Sequence, residues 1–232
     1  MNLTSKQRII FEIICVLGTM LLVKDIADRF NVIGAGSIAM WCGIVVATMF
    51  MKKQNITWKD RGLGLPGSTK DGLKSIGIAL LVVVVVIAFM AAIVPIVSTV
   101  FGVTVPVSST DKFEFMLGNP LYFAAYLLIV IWVGAAVGEE LLMRGFLLNN
   151  LMSLFGQRKV GVIAAVVLHA AIFGMLHISQ GVPGIIGTGV VAVIFAVVYL
   201  FNGRKLFPLI IAHGIINSLS LTAYFLSDGN IT

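Results

Sequence analysis

The side chains in this chain that can do chemistry are few and fall in three ordered groups: Glu139-Glu140-x-x-x-Arg144, Phe173-x-x-x-His177 and His213-x-x-x-Asn217, with His169 eight residues ahead of His177. On an α-helix Glu140 and Arg144 share a face and can form an ion pair along it. Glu139 then points about 100° away, because a turn holds 3.6 residues. It is expected to have no partner on its own helix, the condition of a carboxylate that must accept protons. His169, Phe173 and His177 form a stripe at i, i+4 and i+8, and His213 and Asn217 repeat the i, i+4 step on another segment. A carboxylate and a histidine that share a water can activate it by general-base catalysis. A second histidine and an amide can hydrogen-bond a developing oxyanion. Such a set would hydrolyse an acyl bond without a serine or cysteine nucleophile. The same residue types could instead ligate zinc, with Glu139, His177 and His213 as the available donors. The His-Glu-x-x-His pattern of zinc proteases does not occur, so the metal reading rests on ligand type alone.

These residues lie in unusually apolar surroundings. Of 232 residues, 59% are hydrophobic and 11% charged, against about 25% charged in a soluble domain. Several runs reach the roughly 20 apolar residues needed to cross a bilayer. The composition therefore predicts an all-α, polytopic transmembrane bundle in the cell membrane. A single domain over residues 1–232 is expected, with the motif-bearing core at about 121–226. Seven spans are expected, at about 9–23, 31–51, 75–102, 121–150, 160–178, 185–201 and 207–226, with an eighth as an option. Pro95 should kink the third. The fourth, if α-helical throughout, would be about 45 Å long and would have to protrude or tilt. Lys and Arg divide twelve to three between alternate connections when the N-terminus is cytoplasmic, Lys24, Arg29 and Lys112 being the three on the outside. That asymmetry predicts a cytoplasmic N-terminus. The net charge of +6 is thus a matter of membrane topology, not of nucleic-acid binding. Within the polar connection 52–74, the run Trp58-Lys59-Asp60-Arg61 reads as a surface turn able to anchor on anionic headgroups. Cys15 and Cys42 lie in apolar segments and read as small buried residues.

A carboxylate near the bilayer centre costs about 2.5–3.5 kcal/mol on insertion scales, and embedded ionisable groups normally face a cavity and pair with one another. Glu139, Glu140, Arg144, His169, His177, His213 and Asn217 all fall in the fourth, fifth and seventh spans. Each has a plain structural reading: the Glu140–Arg144 pair as a lock, His169 as a core hydrogen-bonding group, Asn217 as glue between helices. A lock and glue do not call for an unpaired Glu139 beside a paired Glu140, nor for histidines on two further helices.

The three ordered motifs resemble those of the CAAX protease and bacteriocin-processing (CPBP/Abi) family of intramembrane proteases, related to the type II CAAX prenyl endopeptidase. They span residues 139–217, about a third of the chain. The resemblance implies a glutamate-dependent endopeptidase acting on a membrane-associated peptide or protein. In it Glu139 and His177 would activate water, His213 and Asn217 would stabilise the oxyanion, and Glu140 and Arg144 would support the site. If a divalent metal such as zinc takes part, Glu139, His177 and His213 would hold it. Two other readings are compatible with embedded Glu and His: a non-catalytic immunity or regulatory protein on the same scaffold, and a proton-coupled transporter. The second calls for two similar halves with broken helices, and no internal repeat is present.

Overall fold

The computed structural model describes residues 4–103 and 113–229. Lys112, one of the three cations assigned to the outside, lies outside the described residues. Seven long helices follow one another: α1 (Ser5–Arg29), α2 (Ala35–Lys53), α3 (Thr69–Phe101), α4 (Pro120–Phe155), α5 (Lys159–Met175), α6 (Gly181–Phe201) and α7 (Phe207–Leu226). Short 3₁₀ turns at Glu114–Met116 and Ile178–Gln180 complete the described elements, and no strand occurs among the described residues. Five helices, α2, α3, α4, α6 and α7, are long and apolar enough to cross a membrane, while α5 is apolar but has 17 residues.

Local chemistry sets the helix ends. Thr4 and Gln7 close a capping box on α1, and its other end is extended beyond the expected span by the pairs Lys24–Asp28 and Arg29–Asp25. These pairs, one turn apart, let a helix continue through charged residues. Ser68 caps α3 by accepting from the Asp71 amide, and α3 runs on through Pro95 to Gly102, which has φ +62°. Asn119 accepts from the Leu121 and Tyr122 amides and Pro120 takes the first position of α4, where its missing N–H is harmless. α7 runs over Phe207–Leu226, the boundaries the hydropathy predicts.

α4 departs from the expected geometry. From Leu127 to Leu148 it is wound as a π-helix, with i→i+5 bonding over 22 residues, where π-winding ordinarily occurs as single turns, frequently at functional sites. A wider turn rises less per residue, so the element is shorter than an α-helix of the same sequence. It also places neighbouring side chains closer in azimuth than 100°, which bears directly on Glu139 and Glu140.

α4 is the centre of the bundle, packed against α2, α7 and α5. Glycines make these approaches close. A Cβ on Gly134 would fall 2.0 Å from Ser37 Oγ of α2, and one on Gly214 of α7 would fall 2.6 Å from the Trp132 ring of α4. Between α5 and α6 a Cβ on Gly174 would fall 2.6 Å from the Ile185 carbonyl oxygen. Small residues at such crossings let membrane helices gain van der Waals contact that larger side chains would forbid. Gly174→Ala meets backbone, so α5 and α6 must separate. The substitution is expected to cost about 1–3 kcal/mol, the usual range for overpacking. Gly77→Ala, where a Cβ would meet nothing within 4 Å, should leave stability unchanged or slightly raised. Thermal unfolding of the two variants side by side checks this.

Candidate active site

The Arg144 guanidinium is fully enclosed by the protein. Its side chain is 1% exposed and its Nη1 donates to Glu140 Oε1 at 2.9 Å, Glu140 being 0% exposed. The i, i+4 spacing that predicts this pair survives the wider winding. The guanidinium Cζ lies 5.1 Å from the centre of the Phe173 ring of α5 and 4.9 Å from that of Phe195 of α6. Both distances are within the range where a ring face attracts a cation, a contribution that grows as the cation is desolvated. The pair and its two rings therefore join α4, α5 and α6 at one point.

α7 joins through His213. Its Nδ1 lies 2.8 Å from the same Glu140 Oε1. The same Oε1 already accepts from Arg144, so Nδ1–H is the donor to it. In the neutral ring that fixes the tautomer, with the remaining lone pair on Nε2, and Nε2 lies 3.8 Å from Glu139 Oε2. The spacing is too long for a direct hydrogen bond and suits a group placed between the two. Glu139 Oε2 is buried with no hydrogen-bond partner among the described residues. The Glu139 side chain as a whole keeps 19% exposure, whereas Glu140 keeps none. The Phe195 ring also meets the His213 ring edge to face at 5.9 Å. One histidine thus contacts both carboxylates. The π-winding accounts for this: with less than 100° between neighbours, Glu139 and Glu140 can address the same side chain.

The structure brings together Glu139, Glu140, Arg144 and His213, and places His177 differently from the expected stripe. α5 ends at Met175, so His177 lies beyond the helix, its Nδ1 2.9 Å from the Phe173 carbonyl. A carbonyl only accepts, so here too Nδ1–H donates. The imidazole rests 4.7 Å from the Phe173 ring, the ring that also covers Arg144. His177 therefore adjoins the ion pair through Phe173. His169 is fully buried on α5, and neither of its ring nitrogens has a partner among the described residues. Asn217 is half-buried one turn after His213 on α7.

Two supports were not foreseen from the sequence. Phe195 carried no signal, being one apolar residue in an apolar run. Asn149 carried one, as half of an Asn pair ending an apolar span. Its Nδ2 donates to the Arg144 carbonyl (2.8 Å), to the Gly145 carbonyl (3.1 Å) and to Tyr199 Oη (2.9 Å). Tyr199 Oη in turn donates to the Arg61 carbonyl of the 54–68 connection at 2.9 Å. The end of α4 that carries Arg144 is thereby tied to α6 and to that loop.

The donor set does not assemble a metal site. No group of three His, Cys, Asp or Glu side chains gathers about a common point among the described residues. His213 commits Nδ1 to Glu140, and His177 commits Nδ1 to the Phe173 carbonyl.

With the geometry in place, the comparisons with known proteins bear on residues 121–219. This segment matches the family model "Rce1-like: Type II CAAX prenyl endopeptidase Rce1-like", in agreement with the resemblance carried by the three motifs. The match begins at the start of α4 and ends within α7, and so contains every residue of the cluster. No curated protein and no solved structure matches the chain.

Removing one member of a buried ion pair leaves the other charge uncompensated, at a cost of about 3–5 kcal/mol. Arg144→Leu alone is expected to show a loss of that order. Glu140→Leu combined with Arg144→Leu should cost clearly less than the sum of the two single changes. A double-mutant cycle on thermal unfolding measures the difference.

Proposed function

We propose that the protein is an intramembrane endopeptidase in which Glu139 and His213 share the water that attacks a peptide bond of a membrane-associated peptide or protein. The observation that carries this reading is the buried Glu139 Oε2, without a hydrogen bond among the described residues, facing Nε2 of His213 at 3.8 Å. Two bases aimed at one point, one of them held in a fixed tautomer by a buried carboxylate, are arranged to take a proton. The family match over residues 121–219 supports the reaction class.

In the proposed sequence Glu139 takes a proton from the water as its oxygen adds to the scissile carbonyl. The proton passes to His213 Nε2, and the resulting imidazolium is balanced by Glu140 through Nδ1–H. Nε2–H can then stabilise the oxyanion or protonate the leaving amine as the tetrahedral adduct collapses. Asn217, one turn along α7 from His213, is placed on the same helix to donate a second hydrogen bond to that oxygen. His177 keeps the role of a further base or substrate contact on the Phe173 side. Glu140 and Arg144 act as positioning residues. Arg144 pairs with Glu140, and Glu140 holds the His213 ring. The N-terminus and the Lys- and Arg-rich connections are assigned to the cytoplasmic face.

Glu139→Gln is nearly isosteric and removes the proton acceptor. Cleavage should fall by a factor of about 10² or more, the low end of what a general base supplies, while the protein still purifies as a folded species. The readout is the membrane peptide profile of cells expressing wild type or Glu139→Gln at matched levels. A product present with the wild type and missing with the variant is expected. Identical profiles, with the variant still restoring whatever phenotype deletion causes, would instead support a binding or immunity protein on this scaffold.

A further inference from the structure

A second feature lies away from the carboxylates, where the 54–68 connection meets the turn between α6 and α7. These two segments are locked together. The Leu206 amide donates to the Gly62 carbonyl at 2.9 Å, and a Cβ on Gly62, at φ +97°, would fall 1.9 Å from the Arg204 carbonyl oxygen. Only glycine fits there on both counts. The lock leaves a cleft of about 360 Å³ beside it, a size typical of small-ligand sites. Lys59 and Lys205 line it, together with Gly64, Leu65, Ser75 of α3 and Phe207 of α7.

The cleft carries three cations, Lys59, Lys205 and Arg204, against two carboxylates, Asp60 and Asp71, and so keeps a net positive charge. Asp60 accepts from the Thr57 hydroxyl (2.6 Å) and the Thr57 amide (2.8 Å). Those two bonds, the hydroxyl's foremost, hold its carboxyl below the ordinary value. Asp71 accepts from the Ser68 hydroxyl at 2.8 Å. Arg204 is also engaged, its Nη1 by Asn149 Oδ1 at 3.4 Å and its Nη2 by Gln157 Oε1 at 3.2 Å. Lys59 and Lys205 form no ion pair among the described residues, and the amides of Gly64 and Leu65 have no protein acceptor there. Ammonium groups with free backbone N–H donors are what a phosphate oxygen requires. The apolar members fix the kind of phosphate. Leu65 is 84% exposed, Phe207 opens a span, and Ser75 lies in the first turns of another. The cleft therefore sits where the apolar length of α3 and α7 gives way to polar loops, the depth of the lipid headgroups.

We propose that this cleft binds the phosphate of an anionic membrane lipid, with Lys59 and Lys205 on the headgroup and Leu65 and Phe207 against its acyl chains. The bound lipid braces the 54–68 connection, which reaches Arg144 through Tyr199 and Asn149. This site is independent of the proposed hydrolysis.

The test is thermal unfolding of the full-length protein in an uncharged detergent, titrated with short-chain phosphatidylglycerol, the matching phosphatidylcholine, or inorganic phosphate. A ligand that binds only the folded state raises Tm by mass action. Phosphatidylglycerol is expected to raise Tm by several degrees, with no rise from the other two at equal concentration. Lys59→Gln with Lys205→Gln should lose at least half of that shift, each protein being compared with its own lipid-free Tm. Lys52→Gln with Lys53→Gln, on the same connection but outside the cleft, should keep it. Four results would overturn the proposal: an equal shift with phosphatidylcholine, an equal shift with inorganic phosphate, full retention in Lys59→Gln/Lys205→Gln, or loss in Lys52→Gln/Lys53→Gln.

Discussion

A charge with no access to water has to be balanced by the protein around it, and in this molecule that charge is the Arg144 guanidinium. Glu140 neutralises it from one turn away, and the Phe173 and Phe195 rings cover it from two other helices. Neither partner could be buried alone at tolerable cost, since the desolvation of a single ion is several kcal/mol even after relaxation. The arrangement therefore forces α4, α5 and α6 into one register. Orientation of the remaining polar groups follows from that register.

Glu140 has a second lone pair to offer on the same oxygen, and His213 uses it. That single contact fixes α7 against α4 and determines which nitrogen of His213 is bare. Trp132 stacked over Gly214 makes the approach possible, because a side chain at 214 would hold the helices apart. Nε2 then faces Glu139, the carboxylate that differs from its neighbour by keeping some exposure and by having no hydrogen bond to its buried Oε2 and no direct ion pair with Arg144 among the described residues. Two adjacent glutamates thus acquire opposite tasks from their environments. Glu140 is an enclosed counter-ion, and Glu139 keeps part of its side chain exposed.

Much of this was legible in the sequence because hydropathy and spacing act through simple geometry. Apolar run lengths gave seven helices, α7 to the residue, of which five rather than seven are long and apolar enough to cross a membrane. The i, i+4 rule gave Glu140–Arg144. The winding of α4 was not legible: no residue type announces twenty-two residues of i→i+5 bonding, and the 3.6-residue period separated Glu139 from Glu140 more widely than the molecule does. The stripe His169–Phe173–His177 keeps its Phe173–His177 contact, but the helix ends before its last member, for a related reason. Met175, Leu176 and Ile178 are as apolar as the helix before them, so hydropathy ran past the point where α5 ends and hid the turn that carries His177. Phe195 shows the limit from the other side. Its task depends on a cation from another helix, and nothing in its own neighbourhood records that.

The most direct test of the account is the protonation of the His213 ring. Histidine-labelled protein in micelles, with the His213 signals assigned by their loss in His213→Asn, reports the two ring nitrogens separately through their ¹⁵N shifts. The account predicts, in the neutral imidazole, a protonated Nδ1 and a bare Nε2, with that preference lost in Glu140→Gln. A neutral ring protonated at Nε2, or a tautomer unaffected by Glu140→Gln, would contradict it.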